Sequence, residues 1–207
     1  MSRDDWYRNT EWNARISQEF EAKLARARRK EQYLRIQACT LAEIHPNVAL
    51  SLLERYFALP DQFDAAQAHV DRATAFLAQA KIDDALSAYE SALVREAEFP
   101  NLKTHAYLNL PFEIATRKLK ERFPQAIKLL EEHKDRMMFA VDFFKWNSSH
   151  AIIACELGQS SDSREYAKAA LQAADRDHSG FRYHPDVGLV KGSLSEIHAR
   201  MRRLSEA

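Results

Sequence analysis

The chain has 207 residues, 46% of them hydrophobic and 29% charged, which suits one domain or a short repeat array with a sizeable core and a soluble surface. Thirty basic and thirty acidic side chains cancel to a formal net charge of zero, which excludes the strong positive field of a general nucleic-acid or membrane-surface binder. Only 4 glycines and 6 prolines interrupt a composition rich in Ala, Leu, Glu, Lys and Arg; these side chains lose little rotamer freedom in a helix, so an all-α chain is expected.

Met1 to Arg8 are polar and charged, unlike a secretory signal, and no apolar run approaches a membrane span. A cytoplasmic protein of bacterial type is the default expectation. Trp6, Tyr7 and Trp12 crowd the N-terminus and predict a segment held by packing. The first helix starts after Thr10, with Ile16, Phe20 and Leu24 at four-residue spacing on one face. A second runs from Arg29 to Ile44. A third follows His45-Pro46 and carries Val48, Leu52, Leu53, Tyr56 and Phe57. A fourth covers Asp64 to Gln79 and a fifth Asp83 to Glu98, after which Pro100 breaks the chain.

The sixth helix spans Leu102 to Leu119 with Pro111 inside it, and the seventh Pro124 to Asp135. The eighth is apolar and aromatic, from Met137 through Phe143, Phe144 and Trp146 to Leu157, with Gly158 as its C-cap. The ninth covers Asp162 to Ala174. A polar loop, Asp175 to Asp186, precedes a tenth helix with Val190, Leu194, Ile197, Met201 and Leu204 on one face. Its other face holds Glu196, Arg200, Arg202 and Arg203, the asymmetry of a terminal cap. Pro46, Pro60, Pro100, Pro124 and Pro185 all sit at helix edges, where a missing N–H costs little.

A repeat is clearest between Ala66 and Phe99. Small Ala73 stands three residues before Phe76, a turn at Ala80-Lys81 leads to Asp83-Asp84-Ala85, and Tyr89 and Ala92 follow. This pattern resembles the tetratricopeptide repeat, in which small residues let two antiparallel helices approach and aromatics fill the holes between units. Weaker copies place Ala49, Ala126 and Ser163 where Ala85 stands, at spacings of 36, 41 and 37 residues. The resemblance covers residues 29 to 174. It implies one domain over 1–207: a capping segment at 1–28, antiparallel helix-turn-helix repeats stacked as a short right-handed α-solenoid, and a loop and capping helix at 175–207.

Chemistry-bearing motifs are sparse. All 4 glycines lie at or beyond residue 158, and no G-x-G-x-x-G or P-loop pattern occurs. Eight histidines are scattered without an H-E-x-x-H; His178 and His184 share an acidic loop that reads as solvated. Cys39 and Cys155 make no disulfide framework or zinc site and are expected as small core residues. His150 and Cys155 are five residues apart, nearly on one helical face, but no third group completes a catalytic set. No catalytic residue, cofactor or metal is expected.

The resemblance implies a protein or peptide partner, bound in the concave groove lined by the first helix of each pair. The candidate residues are Gln32 and Arg35 on the first pair, Gln67, Val70, Asp71 and Thr74 on the best repeat, and Lys145, Ser148, Ser149 and Ile152 on the last. Some family members clamp a terminal carboxylate with Lys, Asn and Arg; here Val70, Asp71 and Thr74 occupy that surface, so the clamp is not reproduced. Nucleic acid and membrane are not expected partners, although a basic stretch, Lys23, Arg26, Arg28, Arg29 and Lys30, reads as a solvated helix face. Self-association is compatible with the architecture. The leading expectation is a non-enzymatic interaction module. The alternatives are a ligand- or signal-peptide-responsive sensor, an enzyme near His150 and Cys155, and a nucleic-acid adaptor after Lys23. The loop Ser179 to Pro185 is either a recognition loop or a staple for the last helix, with the staple favoured.

Overall fold

The computed structural model describes residues 5–60 and 62–207; the part of the expected N-terminal cap that falls on residues 1–4 lies outside them. The fold is all-α, with no strand among the described residues. The chain divides into two compact units, Met1–Ala106 and Tyr107–Ala207. Unit 1 holds α1 (Ala14–Arg26), α2 (Lys30–Leu41), α3 (Pro46–Phe57), α4 (Ala65–Ala78) and α5 (Ile82–Glu98). Unit 2 is built from α6 (Ala106–Thr116), α7 (Phe123–Glu132), α8 (Ala140–Glu156), α9 (Ser160–Ala174) and α10 (Ser195–Glu206).

All ten expected helices are present, with their ends moved by local chemistry. The sixth begins late because Thr104 caps it: its hydroxyl accepts from the Ala106 N–H at 3.1 Å and donates to the buried Glu96 carboxylate. The eighth begins at Ala140, where the Asp142 carboxylate accepts the N–H groups of Met138 (3.1 Å) and Phe139 (3.0 Å), two donors that no helical carbonyl can reach. The tenth is preceded by a single 3-10 turn over Gly192–Leu194, so Val190 falls outside it.

Helix hairpins are the packing unit. α2 packs on α3, α4 on α5 and α8 on α9, and α10 lies along α9 with Met201 fully buried. Ala49, Ala85, Ala126 and Ser163 are all buried. Each is also the fourth residue of its helix, in α3, α5, α7 and α9. The small residues therefore recur in register, one turn into each of these four helices; in the α2–α3, α4–α5 and α8–α9 hairpins a larger side chain there would hold the helices apart. Ser163 is accommodated because its hydroxyl donates to the Ala151 carbonyl at 2.9 Å.

The first helix of three pairs ends in one and the same way. Ala80 (φ 57°), Lys118 (φ 57°) and Gly158 (φ 77°) are left-handed. In each case the residue itself and its successor donate back to the preceding turn, as in Lys81 to Phe76 (3.0 Å), Leu119 to Ile114 (3.0 Å) and Gln159 to Ala154 (2.9 Å). These are Schellman closures, and only the third has the glycine that makes such a closure visible in a sequence.

The N-terminal aromatics are anchored as expected. Trp6 and Tyr7 each lie 4.8 Å from Tyr33, and Trp6 and Trp12 flank Phe20 at 5.4 and 5.6 Å. The fully buried Gln37 amide fastens the backbone beside them: its oxygen accepts from Asn9 N (3.0 Å) and Nδ2 (2.9 Å), and its nitrogen donates to the Asn9 carbonyl (2.8 Å).

Candidate binding face

In unit 1 the first helices of consecutive pairs, α2 and α4, are tied by one arginine. Arg35 on α2 reaches Asp64 at 3.3 Å and Asp71 at 3.2 Å, at the start and in the middle of α4. Gln67, one turn before Asp71, donates to its other oxygen at 3.0 Å. The Asp71 side chain is 4% exposed and that of Arg35 17%. Burial pushes the Asp71 carboxyl up, while Gln67, Arg35 and the Cys39 thiol pull it back. Donors on both of its oxygens favour the charged form against the cost of burial.

Two clefts open within unit 1 near this network. The larger, about 720 Å³, is lined by Arg28, Arg29, Glu31 and Gln32 at the start of α2, Tyr56 at the end of α3, and Phe63 and Asp64 before α4. The smaller, about 420 Å³, is lined by Cys39, Thr40, Glu43 and Ile44 with Asp71 and Thr74 of α4. Of the expected groove residues, the structure brings together Gln32, Arg35, Gln67, Asp71 and Thr74. Gln32 is exposed, Arg35, Gln67 and Thr74 are half-buried, and Asp71 is buried beneath them. Thr74 Oγ1 also turns back to the Val70 carbonyl at 3.2 Å.

Val70 is not a surface residue: it is buried in the core of unit 1. The last-repeat set needs a larger correction. Ser148, Ser149 and Ile152 are buried, the serines at 0% exposure, and Ser149 Oγ spends its hydrogen on the Lys145 carbonyl at 2.8 Å. The apolar neighbours on both sides of α8 explain this, since a helix packed on two faces has little surface left for a groove. Only Lys145 stays partly open. It donates to Asn109 Oδ1 at 2.9 Å, and its ammonium lies 5.3 Å from the centre of the Phe112 ring. Burial lowers its affinity for a proton, against the opposing pull of Glu113 and Asp142.

The cysteines are also misplaced by the sequence pattern: both Cys39 and Cys155 are exposed. The Cys39 thiol is nevertheless pushed up to about 11, first by the partial burial of its sulfur in the smaller cleft and then by the neighbouring Asp71 charge. His150 and Cys155 do not share a face, since five residues at 100° each leave them about 140° apart. His150 is buried between the rings of Trp146 (4.2 Å) and Tyr166 (4.8 Å), with Nε2 3.3 Å from Glu131. Burial lowers its affinity for a proton and Glu131 opposes this. It packs among aromatic side chains.

The loop after α9 is a staple, but to the start of α8. Val141 N–H donates to the Gly188 carbonyl at 2.8 Å, Phe181 sits 5.9 Å from Phe139, and Arg176 covers Phe143 at 5.2 Å. Tyr183 is left in solvent. No group of three or more His, Cys, Asp or Glu among the described residues could hold a metal ion. No helix among them is long and apolar enough to cross a membrane.

Arg28, Arg29, Tyr56 and Phe63 complete the larger cleft and were not singled out by the sequence as its lining. Their signal was divided between a basic run that looks solvated and two aromatics in different elements. Compared with known proteins, the chain matches no family model, and no curated protein or solved structure is significantly similar to it.

Proposed function

We propose that this chain is a tetratricopeptide-like interaction module that holds a segment of a protein or peptide partner on the α2–α4 face of unit 1, without catalysing a reaction. The observation that carries this reading is the pair of open clefts, about 720 and 420 Å³, lined from the facing helices α2 and α4, whose arginine–aspartate–glutamine network is already formed. Such a face offers mixed polar and apolar contacts on a rigid frame, so a partner need not pay to organise it. Buried small residues in one register of four helices, and three left-handed closures of first helices, support the family likeness.

A photo-crosslinking amino acid placed at Gln32 or Thr74 tests the proposal in the native host, with the exposed α5 position Ser87 as the comparison. The expected result is one adduct formed from Gln32 and Thr74 and not from Ser87. The same adducts from all three positions, or none from any, would refute it.

A further inference from the structure

The larger cleft of unit 1 has in its lining two arginines that engage no acid among the described residues. Inside it, the Asp64 carboxylate is already engaged by Arg35 at 3.3 Å, and the same guanidinium holds Asp71 at 3.2 Å. Arg28 and Arg29 are exposed at the start of α2 and form no ion pair with any acid among the described residues, and the one further acid of the lining is Glu31. Beside the two arginines stands Phe63, 65% exposed, one of the largest apolar surfaces left in solvent. A large side chain held in water next to unpaired guanidinium groups is the composition of a recognition site, because Arg and aromatic residues supply most of the energy where proteins meet.

We infer that this cleft takes an acidic peptide segment carrying a large apolar side chain, its carboxylates on Arg28 and Arg29 and its apolar group against Phe63 and the edge of Tyr56. The inference rests on the interaction-module reading above and names the chemistry of the partner. The two arginines select the acid: a carboxylate meets two guanidinium groups in the planar, two-pronged geometry they favour, while a basic segment would bring like charge against the two guanidinium groups that no described acid engages. A nucleic acid fits less well. It would bring a phosphate every few ångströms past Glu31 and Asp64, where two unpaired cations are too few to neutralise a track of charge. The chain's zero net charge offers no compensating long-range field.

The test is affinity selection from a random-peptide display library on the immobilised full chain, run in parallel on a double variant, Arg28→Glu with Arg29→Glu. Both side chains are exposed, so the variant should keep the wild-type circular dichroism and melting temperature. The expected result is enrichment of peptides rich in Asp and Glu around a Phe, Leu or Trp, and a charge preference that reverses in the double variant. Phe63→Ser should weaken a selected peptide by about tenfold or more, the loss typical of a central aromatic contact. Enriched peptides without charge bias, or with a bias unchanged in the double variant, would overturn the acidic inference and leave the interaction-module reading standing. No enrichment from either protein would overturn both. A single-stranded oligonucleotide pool retained by the wild type at physiological salt and lost with the double variant would assign the cleft to nucleic acid and overturn the inference.

Discussion

His69 makes unit 1 sensitive to acid. It lies in α4 with its ring 4.6 Å from that of Phe57, its Nδ1 is buried with no hydrogen-bond partner, and Arg72 and Arg95 stand near. Its pKa is lowered to about 4, first by burial and then by the two arginines. The folded value lies below the unfolded value of about 6.5, so the unfolded chain binds the proton more tightly. The stability that neutral His69 permits is therefore complete above pH 6.5 and is lost as pH falls from there towards 4. Between pH 7 and pH 5 that loss comes to about 2 kcal/mol, set by the difference in proton binding between the two states. His69→Phe keeps the ring contact, sacrifices no hydrogen bond at Nδ1 and removes the proton site. Urea unfolding at pH 7 and pH 5, in a Trp146→Phe background so that Trp6 and Trp12 report on unit 1, gives the measurement. Wild type should lose about 2 kcal/mol more than His69→Phe over that interval. Because His150 lies in unit 2, its own acid sensitivity drops out of the difference. Equal losses in the two proteins would refute the reasoning, as would a His69 ring that titrates above pH 6 by NMR.

Ala80→Gly should stabilise the fold by about 1 kcal/mol, since Ala80 is left-handed at φ 57° and a glycine removes the Cβ strain; chemical denaturation reads this directly. Gly188→Ala should destabilise it by roughly 2 kcal/mol or more, because φ is +68° and the new Cβ would run into the Phe139 ring; a lower melting temperature together with faster hydrogen exchange at the Val141 amide would show it. Cys39 should alkylate roughly 100-fold more slowly at pH 8 than an ordinary exposed thiol, since a thiol at about 11 holds little thiolate there; peptide mapping should find Cys155 modified first, and Asp71→Asn should speed Cys39. Arg35→Met should cost about 3 kcal/mol by stranding the buried Asp71 charge, and Arg35→Met with Asp71→Leu should recover most of that; a double variant no better than the single would show that the pair is not coupled.

The ten helices were legible because each carries an uninterrupted apolar stripe at helical spacing, and the caps at Gly158 and the N-terminal aromatics because their residue types have few other uses. The face that each helix presents was less legible. The groove that the resemblance implies placed Val70 and Asp71 on an open surface, as if α4 buried one side only. α4 is packed against α3 and α5 and also meets α2, so its apolar band is wide and Val70 falls within it. The same geometry swallowed Ser148 and Ser149 on α8, whose small polar side chains bond within the helix or sit in its packed faces and give no hint of burial in a sequence. Left-handed Ala80 and Lys118 were invisible for a related reason: tertiary packing holds the turn, and no residue preference advertises it. Cys39 was misread because a small apolar-like residue on a helix facing a cleft has the same local pattern as one facing the core.

The Arg35 network also accounts for why the candidate face is a pair of clefts and not a closed seam. Two first helices packed directly through apolar side chains would close on each other until their surfaces interlocked. Here a long arginine spans from α2 to two positions on α4, Asp64 and Asp71, and a charged group held by several partners resists both closer approach and separation. Apolar packing that includes Ala38 and Ala68 fixes the helices from the core side. The openings are then bounded by groups whose positions are already determined: Gln32, Tyr56 and Asp64 at one, Cys39, Asp71 and Thr74 at the other. Recognition on such a face is decided by which side chains line each opening, and the two unpaired arginines and exposed Phe63 distinguish the larger cleft from the smaller.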